Sequence, residues 1–191
     1  MATAVATTPA TVARRRFTAE EFLRLAEVGI LHENDRVELI DGEIIEMAAI
    51  GPDHAGAVTK LTRVVARQLP DAFLASVQNP IHLAGTYLPQ PDLAVVRDRA
   101  YQRQHPAPAD VLLVVEVADS SRDYDRSTKL PLYAAAGIPE AWLVDLVLYR
   151  LERHTEPRNG TYHRIAIAER GETLPSTSVP ELTLPVSAIL P

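Results

Sequence analysis

Apolar and polar positions alternate, cluster or recur at helical spacing in different parts of this chain, and each pattern predicts an element. Val111-Leu112-Leu113-Val114-Val115 is a run of five apolar residues that ends on Glu116 and resumes at Val117. Such a run reads as a strand buried on both faces. Leu93-Ala94-Val95-Val96 has the same character and follows Pro91-Asp92. Ala141 to Leu151 reads as another buried strand with a turn near Asp145, and Tyr162 to Ile167 alternates as a final outer strand. Ser76 to Leu83 alternates too, but contains Pro80, which lacks the donor a central ladder needs and so marks an edge.

Period-four recurrence marks the helices. Ala57, Val58, Leu61, Val64, Val65 and Leu69 share one face of a helix that Asp53 can cap. Thr18 with Glu21 three residues later is a capping box for a short helix through about Ala26. Between these, Arg36 to Met47 is two short strands around Asp41-Gly42, the strongest short-range hairpin signal. A third helix is set by Pro131. A start at Ser127 or Thr128 leaves the proline in the first turn, whereas a start at Asp123 buries it in the interior at a cost of roughly 3 kcal/mol. The later start is expected, with Lys129 in the first turn, Leu130, Tyr133 and Ala134 as the packing face, and Gly137 as the end. The polar segment from Arg97 to Asp110, with two prolines, reads as a surface loop, and Leu174 to Pro191 as an irregular tail.

Length and composition narrow the class. The 191 residues suit one domain, here expected over residues 17–191 behind a disordered tail over residues 1–16. Hydrophobic residues make up 47% and charged residues 23%, near globular averages, and no apolar run approaches the ~18 residues of a membrane span. The leader has no basic start followed by an apolar core, so a cytoplasmic setting is the default expectation. With no cysteine, disulfides, thiolate zinc sites and cysteine nucleophiles are excluded together. The histidines show no metal-ligand pairing at short spacing, and no Gly-x-Ser-x-Gly elbow occurs. A net charge of −6 speaks against a general nucleic-acid coating protein but not against a nuclease, because acids at a metal site are neutralised by the cation they hold.

The chemistry-bearing residues cluster between Pro91 and Lys129. Asp92 opens one apolar strand, Glu116 closes another, and Lys129 follows in a polar connection. Two carboxylates can hold a hard divalent cation, Mg²⁺ with Mn²⁺ as substitute, while a lysine orients or deprotonates the attacking water: the parts of a phosphodiesterase. The bland alternative is that Glu116 marks where its strand meets water and that the acids serve ordinary ion pairs. Glu38 is a candidate third acid or a half-exposed strand glutamate. His54 is a substrate or metal-water contact or, more simply, a surface histidine. Arg14, Arg15 and Arg16 read as a solvated run or as phosphate contacts.

These segments also carry a resemblance. Arg36-Val37-Glu38-Leu39-Ile40-Asp41-Gly42-Glu43, Pro91 to Val96, Val115-Glu116-Val117, Asp125 with Lys129 and Tyr133, and Ala136 to Asp145 together resemble the Uma-two family of putative restriction endonucleases, within the PD-(D/E)XK nuclease superfamily. The resemblance spans about residues 17–190. It implies a mixed α/β fold with a restriction-endonuclease-like core, a central mixed sheet flanked by helices, plus an N-terminal helix and a hairpin. It also implies a metal between Asp92 and Glu116, a role for Glu38 and His54, and DNA as substrate. A homodimer would suit the cutting of two strands. The superfamily lysine two residues after the second acid is Ala118 here, and Lys129 matches the family's lysine on the next helix. Asp119-Ser120 stands where the family has Ser-Pro. A nuclease-derived binding protein without turnover, or a hydrolase of another phosphoester, are the competing readings.

Overall fold

The computed structural model describes residues 13–32, 34–102 and 104–190, so most of the expected N-terminal tail lies outside it. Thr18 caps α1 (Ala19–Glu27) with the reciprocal capping box its sequence announces. β1 (Val37–Ile40) and β2 (Glu43–Glu46) pair antiparallel around Asp41 and Gly42, both at positive φ (51° and 73°) as a tight primed hairpin turn demands. Arg15 pairs with Glu21, and Arg16 with Asp41 and Glu43, so these two arginines fasten the chain start to α1 and the hairpin rather than standing as a free run.

α2 (Pro52–Ala66) buries Ala57, Val58, Leu61 and Val65, as the periodicity predicts. Its cap is Gly51, not Asp53, and Pro52 takes the first position, where its missing N–H costs nothing. The helix also stops short of Leu69. β3 (Phe73–Val77) is an edge strand, as expected, but lies earlier than the alternation of Ser76 to Leu83 suggested. The strand ends because Gln78 adopts φ 49°. β4 (Leu93–Arg97) and β5 (Val111–Ala118) follow, then β6 (Glu140–Asp145), β7 (Arg150–Arg158) and β8 (Thr161–Ala168). The turn expected near Asp145 divides the stretch from Ala141 to Leu151 into a hairpin: Asp145 Oδ1 accepts the backbone N–H groups of Val147 and Leu148 and turns the chain.

The six strands order as β3-β4-β5-β6-β7-β8, antiparallel except for the parallel pair β5 and β6. This is the mixed central sheet the resemblance implies. One face carries Leu93, Val95, Leu113, Val115, Trp142 and Val144 against α2 and the chain end; the other carries Ala94, Val96, Val114 and Ala141 against Leu130, Tyr133, Ala134 and Ile138. The expected irregular tail instead forms a two-stranded pair, β9 (Thr173–Pro175) with β10 (Thr183–Pro185), whose Leu174, Leu182 and Leu184 enter the first of these cores.

The chain between β5 and β6 departs most from expectation. It is helical from α3 (Arg122–Tyr124), passes through a π-helical turn at Asp125–Lys129 and continues as α4 (Leu130–Ala135). The helix thus begins earlier than the proline argument allowed. The wide turn resolves the conflict: the Leu130 N–H reaches back five residues to Asp125 O, so the hydrogen-bond ladder resets and Pro131 falls at the second position of α4. Gly137, at φ 77°, ends it as predicted.

Candidate active site

Four elements bring their polar side chains to one cleft. β1 delivers Glu38, the first turn of α2 delivers His54, the residue before β4 is Asp92, and β5 delivers Glu116. The π-helical turn adds Asp125 and Lys129. The cleft has a volume of about 280 Å³, and Arg36, Met47 and Ile50, from the segment around and beyond the hairpin, also line it. All five residues singled out from the sequence therefore share it.

Glu116 does not mark an exit to water. It is 2% exposed, accepts a hydrogen bond from Tyr133 Oη at 2.5 Å, and lies 3.2 Å from Lys129 Nζ. Glu38, equally buried, receives Lys129 Nζ at 3.2 Å, Tyr124 Oη at 3.1 Å and the Gln90 N–H at 3.1 Å. Lys129 also donates to the Gln90 carbonyl at 3.2 Å. Asp92 is held from three sides: Val117 N–H at 2.9 Å, Gln78 Nε2 at 3.3 Å and His54 Nε2 at 3.1 Å. His54 is thus a half-buried partner of an acid and not a free surface histidine. Asp125 accepts from Ser121 Oγ at 2.7 Å.

Electrostatics follow from burial and crowding. Burial pushes the Glu116 carboxyl well above its ordinary range, the Lys129 ammonium pulls it back, and Asp125 and Asp92 push it further up. Burial likewise lifts Asp125 to about 6, with Asp92 and Glu38 adding to the rise. Asp92 ends below its usual value: burial raises it, but the hydrogen bond and charge of His54, with the Val117 N–H, outweigh that. Burial opposes the Lys129 charge, yet Glu116, Glu38, Asp125 and Asp92 together raise its pKa, so it stays an ammonium at every working pH.

Four acids thus face one permanent cation and one histidine, and two of them are driven toward protonation. That surplus negative charge is what a divalent cation would neutralise. Among the described residues, no three His, Cys, Asp or Glu side chains are gathered into a ready-made metal cage. Mg²⁺ does not require one, since it keeps several waters and takes one or two carboxylates plus phosphate oxygens. Asp92 and Glu116, on adjacent strands, fit that limited demand.

Sequence reasoning passed over Gln78, Gln90 and Tyr124. The proline-flanked Gln90 was a visible anomaly, and the positive φ of Gln78 was not.

A family model described as Putative restriction endonuclease (Uma2) matches residues 19–187. The chain belongs to this family. Among solved structures it is similar to the crystal structure of a putative nuclease belonging to DUF820 from Anabaena variabilis, with a TM-score of 0.69 and 16% identity, covering 91% of this chain and 97% of that one. At that identity the likeness speaks for the fold. No curated protein matches.

Proposed function

We propose that this protein is a metal-dependent endonuclease that hydrolyses phosphodiester bonds in DNA. The observation that supports the reading best is the meeting of Asp92, Glu116 and Lys129 in one cleft, in a chain whose family is described as putative restriction endonucleases. Asp92 and Glu116 would hold such a cation, whose chemistry would be to acidify a bound water and to offset negative charge at the phosphate.

The chain's own residues do the rest. Lys129, kept charged, serves as a fixed donor that orients the attacking water and meets charge developing on the phosphate; it is not a proton acceptor. The Gln90 carbonyl and Glu38 also hold the ammonium, each at 3.2 Å. His54, Gln78 and the Val117 N–H fix the Asp92 carboxylate in one orientation. Tyr133 does the same for Glu116.

The test is plasmid cleavage by purified protein with Mg²⁺ or Mn²⁺. Wild type is expected to nick or cut, and Asp92→Ala and Glu116→Ala to be inactive while remaining folded. Equal degradation by all three would place the activity elsewhere. A second reading, a nuclease-fold binding protein without turnover, draws on Ala118 in the superfamily's lysine position and on the full hydrogen-bonding of both acids. It prevails if the wild type binds DNA with salt-dependent affinity and never cuts it.

A further inference from the structure

We propose that Arg126, held by Glu152 and Asp145 outside the cleft, is a positioning residue: it locks the π-helical turn in the orientation that presents Lys129 to Glu116 and Glu38. The catalytic consequence rests on the nuclease reading, although the positioning itself can be read without DNA. Arg126 donates to both oxygens of Glu152, at 2.8 Å and 2.6 Å, and to Asp145 Oδ2 at 3.2 Å. Glu152 lies on β7 and Asp145 ends β6; neither is among the residues that line the cleft. Their exposures are 2% and 0%, so the guanidinium reaches into the protein rather than along its surface.

The wide turn makes this division possible. Residues three apart are neighbours on an ordinary α-helix, so Arg126 and Lys129 would there share one face. Here Lys129 enters the cleft with Asp125, while Arg126 crosses to the β6–β7 hairpin. Among the described residues, the other side-chain hydrogen bonds of the turn are local: Ser121 Oγ donates to Asp125, and Ser127 Oγ to the Asp123 carbonyl. Arg126 and Lys129 are therefore the two anchors of the turn, one on the sheet and one in the cleft. Arg122 also reaches Asp145, at 2.7 Å, but stands ahead of the turn.

The acids do not depend on Arg126. Glu152 keeps Arg150 Nη2 at 2.6 Å and His154 Nε2 at 3.2 Å, and Asp145 keeps Arg122 with the N–H groups of Val147 and Leu148. Removing Arg126 thus leaves no bare buried carboxylate; what it removes is the link between the turn and the sheet. Buried ion pairs are weak evidence for stability, and their best-attested use is to fix register. This link is also charged at working pH. Burial raises the Glu152 carboxyl, but His154, Arg126 and Arg150 outweigh it and hold it well below its ordinary value.

Arg126→Gln, Glu152→Gln and Arg126→Lys separate positioning from a purely structural role. The readout that needs no DNA is the Lys129 ammonium in ¹⁵N–¹H spectra, protected from exchange with water by Glu116, Glu38 and the Gln90 carbonyl. The indole N–H of Trp142, the chain's single tryptophan, is buried against Glu140 and reports the fold. Arg126→Gln is expected to lose the Lys129 signal to fast exchange and to keep that of Trp142. With Mg²⁺ and plasmid, kcat is expected to fall about a hundredfold at little-changed KM, as for a displacement of about 1 Å at a reacting group. Arg126→Lys should recover part of both, since one ammonium cannot reproduce a planar fork across two acids. Arg126→Gln with Glu152→Gln should be no worse than Arg126→Gln alone, because both cut one link. An unchanged Lys129 signal in folded Arg126→Gln overturns the proposal. Loss of the Trp142 signal together with that of Lys129 also overturns it, by making Arg126 part of the fold, and so do losses that multiply in the double variant. A wild type that never cuts, with Lys129 exchange still governed by Arg126, would refute the nuclease reading and leave the positioning intact.

Discussion

Lys129 Nζ stands 3.2 Å from Glu116 Oε1 in a site where both side chains are almost wholly buried. The same ammonium lies 3.2 Å from Glu38 Oε2, so one charge bridges the central sheet and the separate hairpin. Replacing it with an isosteric apolar side chain, Lys129→Met, strands two buried carboxylates. Removing one partner of a buried pair costs roughly 3–5 kcal/mol. Urea denaturation should show a loss of that order, partly recovered at acid pH as Glu116 takes up a proton, and DNA cleavage should vanish.

Asp125 makes stability pH-dependent, with a definite sign. Its folded pKa, about 6, is raised above the ordinary 3.8, chiefly by burial. An acid shifted upward favours the fold while protonated, so its contribution is present below the unfolded value and lost as pH rises through about 6. At 1.36 kcal/mol per unit, the wild type should lose up to about 3 kcal/mol across that window. Asp125→Asn should flatten the profile there, as read by denaturation midpoints over the range.

Metal should stabilise the folded chain in the absence of DNA. Binding to the native state alone contributes about 2.7 kcal/mol at a hundredfold excess over the dissociation constant. The thermal midpoint is expected to rise with Mg²⁺ or non-catalysing Ca²⁺ in the wild type and to stay fixed in Asp92→Asn. An equal rise in both would show that the ion binds elsewhere.

Glu140 is a structural acid outside the cleft. Fully buried, it accepts Trp142 Nε1 on one oxygen and, on the other, Ser176 Oγ, Thr177 N and Oγ1, and Ser178 N, which fastens the chain end onto β6. Glu140→Ala orphans all five donors and opens a cavity, for a loss of at least about 3 kcal/mol. The Asp92–His54 contact should survive unchanged, as checked by the His54 imidazole resonances.

Gly42 is confined twice over. It sits at φ 73°, and a Cβ there would meet the backbone oxygen of Phe17 at 2.9 Å and the Arg16 Cβ still closer. Gly42→Ala should therefore cost more than the roughly 1 kcal/mol of a simple left-handed alanine. A thermal midpoint within a degree of wild type would contradict this.

Much of the architecture could be read from local patterns. Glu116 stood out because an acid interrupting an apolar run must be paired, and it is; Asp41-Gly42 and Thr18 with Glu21 declared their turn and cap through short-range chemistry. What escaped prediction depends on tertiary partners. His54 looked like a surface residue because its acid lies 38 positions away. The turn expected near Asp145 is there, made by Asp145 accepting the N–H groups of its own turn; that it separates two antiparallel strands is settled by the pairing of β6 with β7. The early helix start was rejected on sound propensity grounds, which a π-helical turn circumvents.

That turn also fixes where this chain tolerates length change. Its one additional residue per turn sets the angular phase between the segment before it and the segment after it, with Arg126 clamped to Glu152 and Asp145 while Lys129 points to the cleft. Deleting a single amino acid between 125 and 129 would restore an ordinary spiral and swing whatever follows by about 100°. Natural variants should therefore keep an invariant count of residues here.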